Sequence, residues 1–262
     1  MTSFVRTALE AGTRSWVYRR RLPESVGNGP LFVTPSAGLK YLLKPMSQID
    51  PPLLNCAKSL VRPGNVVWDV GANVGLFAFA AAACAGRGGT IHCFEADTWL
   101  VQLLRRSCMI QPSQSASVNV VPVALAGAVS LQSFAIAKRA RASSALSKYG
   151  NTDMGGVSDL QTVPAVSLDW LLSELPAPDV LKIDVEGAEL EVLRDQPDIL
   201  QNVRPVIICE VSDVNRAEVT TILKQANFRL FDGERPLENA QALDVAPWST
   251  VAIPDEAVSQ VL

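Results

Sequence analysis

Along this chain the apolar positions change period repeatedly, and each change marks a passage from strand to helix or back. Val66-Val67-Trp68-Asp69-Val70 is a short apolar run carrying one acid near its end, followed by Gly71 and Gly75 and then by the ten-residue apolar run Leu76 to Ala85. That order reads as buried strand, tight turn and buried helix. From there the pattern predicts strand 66–70, helix 74–85, strand 90–94, helix 97–109 and strand 118–123. Such a βαβαβ half implies right-handed crossovers and a parallel sheet. A second series follows, with a helix from Ser167 through Glu174, strand 179–184, helix 188–195, strand 205–210, helix 215–226, strand 228–231 and a last strand near 248–253.

Two regions depart from this alternation. Between the halves, 129–137 and 161–166 read as the strands of a hairpin insertion, and the polar stretch 138–159 joining them reads as a loop. Loops of about 20 residues inside a compact domain are more often functional than inert. This one carries Arg139, Arg141, Ser143, Ser144, Lys148 and Tyr149, and is expected to lie over the substrate as a lid, with Ser143, Ser144 and Tyr149 as candidate contacts. Ahead of the alternation, residues 1–22 form a candidate basic amphipathic helix that caps the core. Segments 31–33 and 39–43 form a candidate hairpin across Pro35-Ser36-Ala37-Gly38, and 52–61 a helix. The expected division is an N-terminal cap, 1–62, and a main domain, 63–262, with an insertion around 128–166.

Composition narrows the partners more than the fold. The 262 residues are 48% hydrophobic, enough for one large α/β domain or two small ones. A net charge of −3 and 6% aromatic content supply neither a basic surface nor base-stacking platforms, so no nucleic-acid partner is expected. Cys56, Cys84, Cys93, Cys108 and Cys209 lie far apart without a C-x-x-C pair and read as reduced core thiols. The single histidine, His92, lies within a strand and reads as a core or edge residue; it cannot build a histidine metal cluster. The longest apolar run has ten residues where a membrane helix needs about 20. The basic N-terminus lacks an apolar signal core, so a cytoplasmic protein with no transmembrane segment is expected.

The candidate chemistry gathers at the strand ends. Gly71 and Gly75 allow positive φ and bring bare N–H groups toward a ligand at a helix N-terminus. A dinucleotide fingerprint would need glycine at positions 73 and 76, where the chain has Asn73 and Leu76, which disfavours a nicotinamide dehydrogenase. Glu95 lies 20 residues beyond Gly75, the spacing at which an acid reaches the two hydroxyls of a ribose. Asp69, Glu95, Asp184 and Glu210 all end strands, and four acids on one rim call for a cationic ligand. Lys182 and Asp184 alternate onto one face of their strand, where Asp184 or Glu210 could neutralise the lysine.

The runs Asp69-Val70-Gly71-Ala72-Asn73-Val74-Gly75, Phe94-Glu95-Ala96-Asp97 and Leu181-Lys182-Ile183-Asp184-Val185-Glu186-Gly187-Ala188-Glu189 together resemble the FkbM-type family of class I S-adenosylmethionine-dependent methyltransferases. The resemblance covers roughly residues 60 to 235, with Ala96 standing where the family usually has proline. It implies an α/β, Rossmann-like class I methyltransferase fold: a mostly parallel seven-stranded sheet with an antiparallel last strand, plus the N-terminal cap and the hairpin insertion. It implies S-adenosylmethionine as cofactor, with Asp69, Gly71, Asn73 and Gly75 at its methionine portion, Glu95 at its ribose and Asp184 nearby. It further implies methyl transfer to a hydroxyl of a small-molecule natural product or a sugar or glycan. Transfer to an amide or peptide nitrogen and a non-catalytic cofactor-binding module are the alternatives. Without a second histidine a carboxylate is the expected proton acceptor: Asp184 first, then Glu186 and Glu210, with Lys182 beside them. Asp184, Glu186, Glu189 and Glu210 offer oxygen ligands suited to magnesium, although their spacing does not demand a metal. Glu189 and Glu191 read instead as solvated or capping charges on a short helix.

Overall fold

The computed structural model describes residues 12–13, 15–138, 141–148 and 156–262. Its elements follow the chain as β1 (Tyr18–Arg21), β2 (Pro30–Val33), α1 (Lys40–Leu43), α2 (Pro51–Leu60), β3 (Val66–Val70), α3 (Leu76–Ala85), β4 (Thr90–Phe94), α4 (Thr98–Cys108) and β5 (Ser117–Val121). The insertion contributes β6 (Ala124–Leu125), β7 (Ser130–Ala137), β8 (Ala145–Leu146) and β9 (Val157–Val166). The second half contributes α5 (Leu168–Glu174), β10 (Val180–Ile183), α6 (Glu189–Leu193), β11 (Val206–Glu210), α7 (Arg216–Gln225), β12 (Phe228–Asp232) and β13 (Ser249–Pro254).

Seven strands form the central sheet in the order β12-β13-β11-β10-β3-β4-β5. β13 runs antiparallel to both of its neighbours, while β11, β10, β3, β4 and β5 pair in parallel. This is the mostly parallel seven-stranded sheet with one antiparallel last strand that the family resemblance implies. Both faces are covered, so the strands read as nearly continuous apolar runs. Val67, Ile91, Val180 and Ile208 point to the face covered by α2, α3 and the cap. Their neighbours Trp68, Phe94, Leu181 and Ile207 point to the other. Trp68 and Phe94 meet edge to face with ring centroids 5.6 Å apart, and Trp68 Nε1 donates to Pro176 O at 3.2 Å. The strand order reverses between β3 and β10, which opens a crevice at their carboxyl ends.

The cap corrects two expectations. Residues 18–21 are extended, not helical, because they pair antiparallel with 30–33; residues 1–11 of that predicted helix lie outside the described part. The predicted hairpin of 31–33 with 39–43 does not form. Thr34 accepts a hydrogen bond from Ser36 N and Pro35 occupies the first turn position, so the chain starts a short 3₁₀ turn and continues into α1. Local capping here prevails over strand propensity. Leu22, Val26, Leu31, Val33 and Tyr41 of the cap share one apolar cluster with α2, α3 and the sheet.

The insertion folds as its own four-stranded sheet, β6-β9-β7-β8, with Phe134, Ile136, Leu146 and Val163 in a small core beneath it. The stretch read as a continuous loop contains β8, which pairs Ala145 and Leu146 with Ala135 and Phe134, and β9 begins at Val157. A two-residue strand has no period of its own; the open edge of β7 selects it. Among the described residues, no helix is long and apolar enough to cross a membrane.

The cap is fastened through Ser107, which is buried in α4, accepts from Phe32 N at 2.8 Å and donates to Leu103 O at 2.9 Å. Ser107→Ala leaves Phe32 N unsatisfied and is expected to lower stability by about 1–3 kcal/mol in a single cooperative transition, read by urea denaturation. An unchanged midpoint would show that the cap docks without this bond.

Candidate active site

The turn after β3 is built by close approach. Gly71 has φ +71°, and a Cβ there would lie 1.8 Å from Asp184 O, so only glycine lets the ends of β3 and β10 come together. Gly75 has φ +85°, and a Cβ there would meet the Phe79 ring at 2.5 Å, so its role in this fold is packing. Between them Asn73 takes φ +54° and donates its backbone N–H to Glu95 Oε2 at 2.7 Å. Glu95 Oε1 accepts from Asp97 N at 2.8 Å, so the acid ties the glycine turn to the start of α4. Burial pushes the Glu95 carboxyl up to about 7, against the pull of these two N–H donors. Asn73 Oδ1 is buried without a partner among the described residues.

Lys182 stands beneath this turn. Its Nζ donates to Gly71 O at 2.9 Å and is ion-paired with Asp69 Oδ1 at 3.1 Å and Asp184 Oδ2 at 3.4 Å. Burial alone would release the proton, but Asp69 and Asp184 outweigh it and hold the lysine charged. The sequence reading offered Asp184 or Glu210 as the neutralising partner; the register of β10 against β3 sets Lys182 opposite Asp69 and adds that acid as a second ion-pair partner.

Glu186 and Glu189 complete the rim in different ways. Glu186 takes φ +49°, an uncommon and costly conformation for a non-glycine residue. Glu186 is exposed at the cavity mouth, yet partial desolvation of its carboxyl, and then the charges of Asp184, Glu210 and Glu189, push it up to about 8. Glu210 is pushed up to about 7 by burial and by Asp184. Of the two readings of Glu189, a solvated or a capping charge, the structure departs from the first and fits the second. Glu189 is buried and accepts from Gly187 N at 2.7 Å, Asn215 Nδ2 at 2.7 Å and Ser212 Oγ at 3.1 Å, which fixes the turn displaying Glu186.

A partly open cavity lies at the crevice between these strand ends and the insertion. Gly71, Asn73, Glu95, Asp184, Glu186 and Ser144 line it, with Phe94, Leu100, Val123, Phe134 and Leu146 as apolar walls. The structure thus gathers six of the sequence candidates around one space. Asp69 and Lys182 lie under its floor, Gly75 packs behind it, and Glu210 and Ser143 fall outside its lining. Tyr149 lies outside the described residues. Ser144 Oγ accepts from Ala137 N at 3.1 Å. His92 is buried away from the cavity, its Nε2 without a partner among the described residues, and burial lowers its pKa. Among the described residues, no group of three or more His, Cys, Asp or Glu is arranged to hold a metal ion.

Two further groups meet at the cavity, Arg141 of the segment expected as a lid and Asp97, which the sequence does not link to it. Arg141 lines the cavity and is ion-paired with the buried Asp97, whose Oδ1 caps α4 by accepting from Trp99 N at 2.9 Å. Asp before Thr98 and Trp99 is a legible helix cap; its pairing with the insertion carries no sequence signal.

The Methyltransferase FkbM domain model matches residues 69–230. The chain is 30% identical over 169 residues to the hexuronic acid methyltransferase AglP of Haloferax volcanii, and the match spans 62% of this chain and 62% of the relative, less than two thirds of its length. Among solved structures, methyltransferase FkbM from Methylobacillus flagellatus is 14% identical with a TM-score of 0.45, covering 76% of this chain and 49% of that one. The precorrin-6y C5,15-methyltransferase from Geobacter metallireducens is 13% identical with a TM-score of 0.44, covering 78% and 84%. The family match takes in well over half of the chain and every strand-end acid of the site, and the chain belongs to the FkbM methyltransferase family.

Proposed function

We propose that the protein transfers the methyl group of S-adenosylmethionine to a hydroxyl oxygen of a small molecule or sugar. The observation that carries this reading is the cavity itself, with Asn73 and Glu95 at one end and Asp184 and Glu186 at the other in a chain of this family. The named activity of the relative on a hexuronic acid supports a sugar acceptor.

The residues present fit the cofactor. Asn73 has a buried amide oxygen without a partner, and each Glu95 oxygen accepts one N–H, leaving lone pairs for ribose hydroxyls. Glu95 would hold the ribose, and Gly71, Asn73 and Asp184 the methionine portion, above the Lys182 pair. Asp69 would act through Lys182, keeping that floor rigid.

When bound, S-adenosylmethionine supplies a methyl carbon on positive sulfur that is open to in-line attack. The chain has to position the acceptor and take its proton; positioning is worth about 7–11 kcal/mol and a base about 10²- to 10⁴-fold. Asp184 and Glu186 are the proton acceptors in reach. Asp184 already shares Lys182, whereas Glu186 faces the cavity with its affinity for protons raised. The geometry favours Glu186 as the base and Asp184 as the group that orients the reacting atoms.

Isothermal titration with S-adenosylmethionine, its demethylated product and NAD is expected to show micromolar binding of the first two alone. Glu95→Ala should weaken both by at least about tenfold. Binding of NAD in their place would overturn the cofactor.

With a sugar acceptor, kcat should rise with pH toward about 8 as Glu186 ionises. Glu186→Gln should lower kcat by about 10²-fold or more and flatten that limb. A flat profile in Asp184→Asn, with the limb kept in Glu186→Gln, would move the base to Asp184.

Stability gives an independent reading of the same group. Glu186 binds its proton more tightly folded than unfolded, so between its ordinary 4.5 and about 8 the folded state holds more protons, and stability falls as pH rises through that window. Urea denaturation of Glu186→Gln should show a shallower fall and a gain over wild type at pH 8. An identical slope would show that Glu186 is not the strained acid.

A further inference from the structure

Arg141 enters the cavity from the insertion, not from the central sheet. Its guanidinium Nη1 is paired with Asp97 Oδ2, and both groups are withdrawn from water, with side-chain exposures of 18% and 0%. The Asp97 carboxylate is anchored through Oδ1, which accepts from Trp99 N at 2.9 Å, and the residue's backbone is anchored by its N–H donating to Glu95 Oε1 at 2.8 Å. A carboxylate fixed in this way aims the guanidinium. The fork carries five donors and Asp97 engages one nitrogen, which leaves donors for a ligand in the cavity.

The position of the pair decides which end of a ligand it meets. Glu95 follows β4 and Asp184 follows β10, with β3 between them, so the two ends of the cavity lie two strand spacings apart, roughly 10 Å. Asp97 is bonded to Glu95 and opens α4, and Leu100 of that helix lines the same cavity as Arg141. Arg141 therefore stands at the Glu95 end, away from Asp184 and Glu186. The 3₁₀ turn Arg141–Ser143 also packs against the Pro35–Ala37 turn of the cap, and Lys148 Nζ reaches Glu191 at 2.7 Å. The insertion is thus fastened at three places over the cavity.

We propose that Arg141 is a cofactor-binding residue contributed by the insertion, closing over the adenosine end of S-adenosylmethionine, with Asp97 as the positioning residue that aims it. The inference rests on the cofactor reading above. A planar guanidinium stacks on flat rings and donates to ring nitrogens and ribose oxygens, which suits the adenosine portion. It makes no contact with the sulfur end, so it does not distinguish the methylated cofactor from its product.

The test is isothermal titration of the full chain with S-adenosylmethionine, its demethylated product and adenosine. Arg141→Gln is expected to weaken all three by a common factor of about tenfold or more, as for loss of a charge-assisted hydrogen bond. Arg141→Lys keeps the charge opposite Asp97 but loses the fork, and should show a smaller loss common to the three; it carries the test if Arg141→Gln does not fold. Asp97→Asn keeps a good helix cap but removes the counter-charge of a pair withdrawn from water, so it should weaken the same three ligands and also lower the melting temperature without ligand. Unchanged adenosine affinity in Arg141→Gln would overturn the proposal and leave the pair as a structural tie. Loss confined to S-adenosylmethionine would overturn it as well, by placing Arg141 at the sulfur end. If the wild-type chain binds none of the three, the cofactor reading fails first and this inference with it.

Discussion

Everything at the rim rests on one buried cation. Lys182 lies in a central strand, 4% exposed, where an unpaired ammonium would not stay charged. Asp69, Asp184 and the carbonyl of Gly71 surround it at 2.9 to 3.4 Å. These contacts join β3 to β10 at the point where the strand order reverses, so the lysine sets the spacing of the crevice. Gly71 must remain glycine because that spacing leaves no room for a Cβ against Asp184 O.

Around this floor the acids are sorted by what surrounds them. Glu95 is bonded to two backbone N–H groups, Glu189 is enclosed by Gly187, Ser212 and Asn215, and Asp184 shares Lys182. Glu186 has no such partner among the described residues and keeps a raised affinity for its proton. A single rim of like charges is thereby divided by environment: Glu95, Glu189 and Asp184 hold structure, and of the two raised acids without such bonds, Glu186 and Glu210, Glu186 lines the cavity.

The cap and the insertion enclose what the sheet displays. The family match begins at residue 69, after the cap, and the cap still shares one apolar cluster with α3 and the sheet. The insertion has its own small core, touches the cap through its Arg141–Ser143 turn and is fastened by ion pairs at Asp97 and Glu191. The cavity walls therefore come from the central fold and the insertion, and the cap supports them from outside the lining.

The sequence by itself determined the alternation of strands and helices from Val66 onward, the glycine turn, and the acids at the strand ends, because periodicity fixes which face each side chain uses and strand ends collect at one edge of a parallel sheet. It misread residues 18–21 and 39–43, where pairing with a neighbour and a local cap outweighed short-range patterning. It singled out Lys182 but not Asp69 as its partner, and Arg141 without Asp97. Those partners lie 113 and 44 residues away in the chain, and only the register of β10 on β3 and the docking of the insertion bring them together. The partial desolvation and crowding of acids that raise Glu186, and the burial that encloses Glu189, were equally invisible, since both depend on what packs around a group and not on its neighbours in sequence.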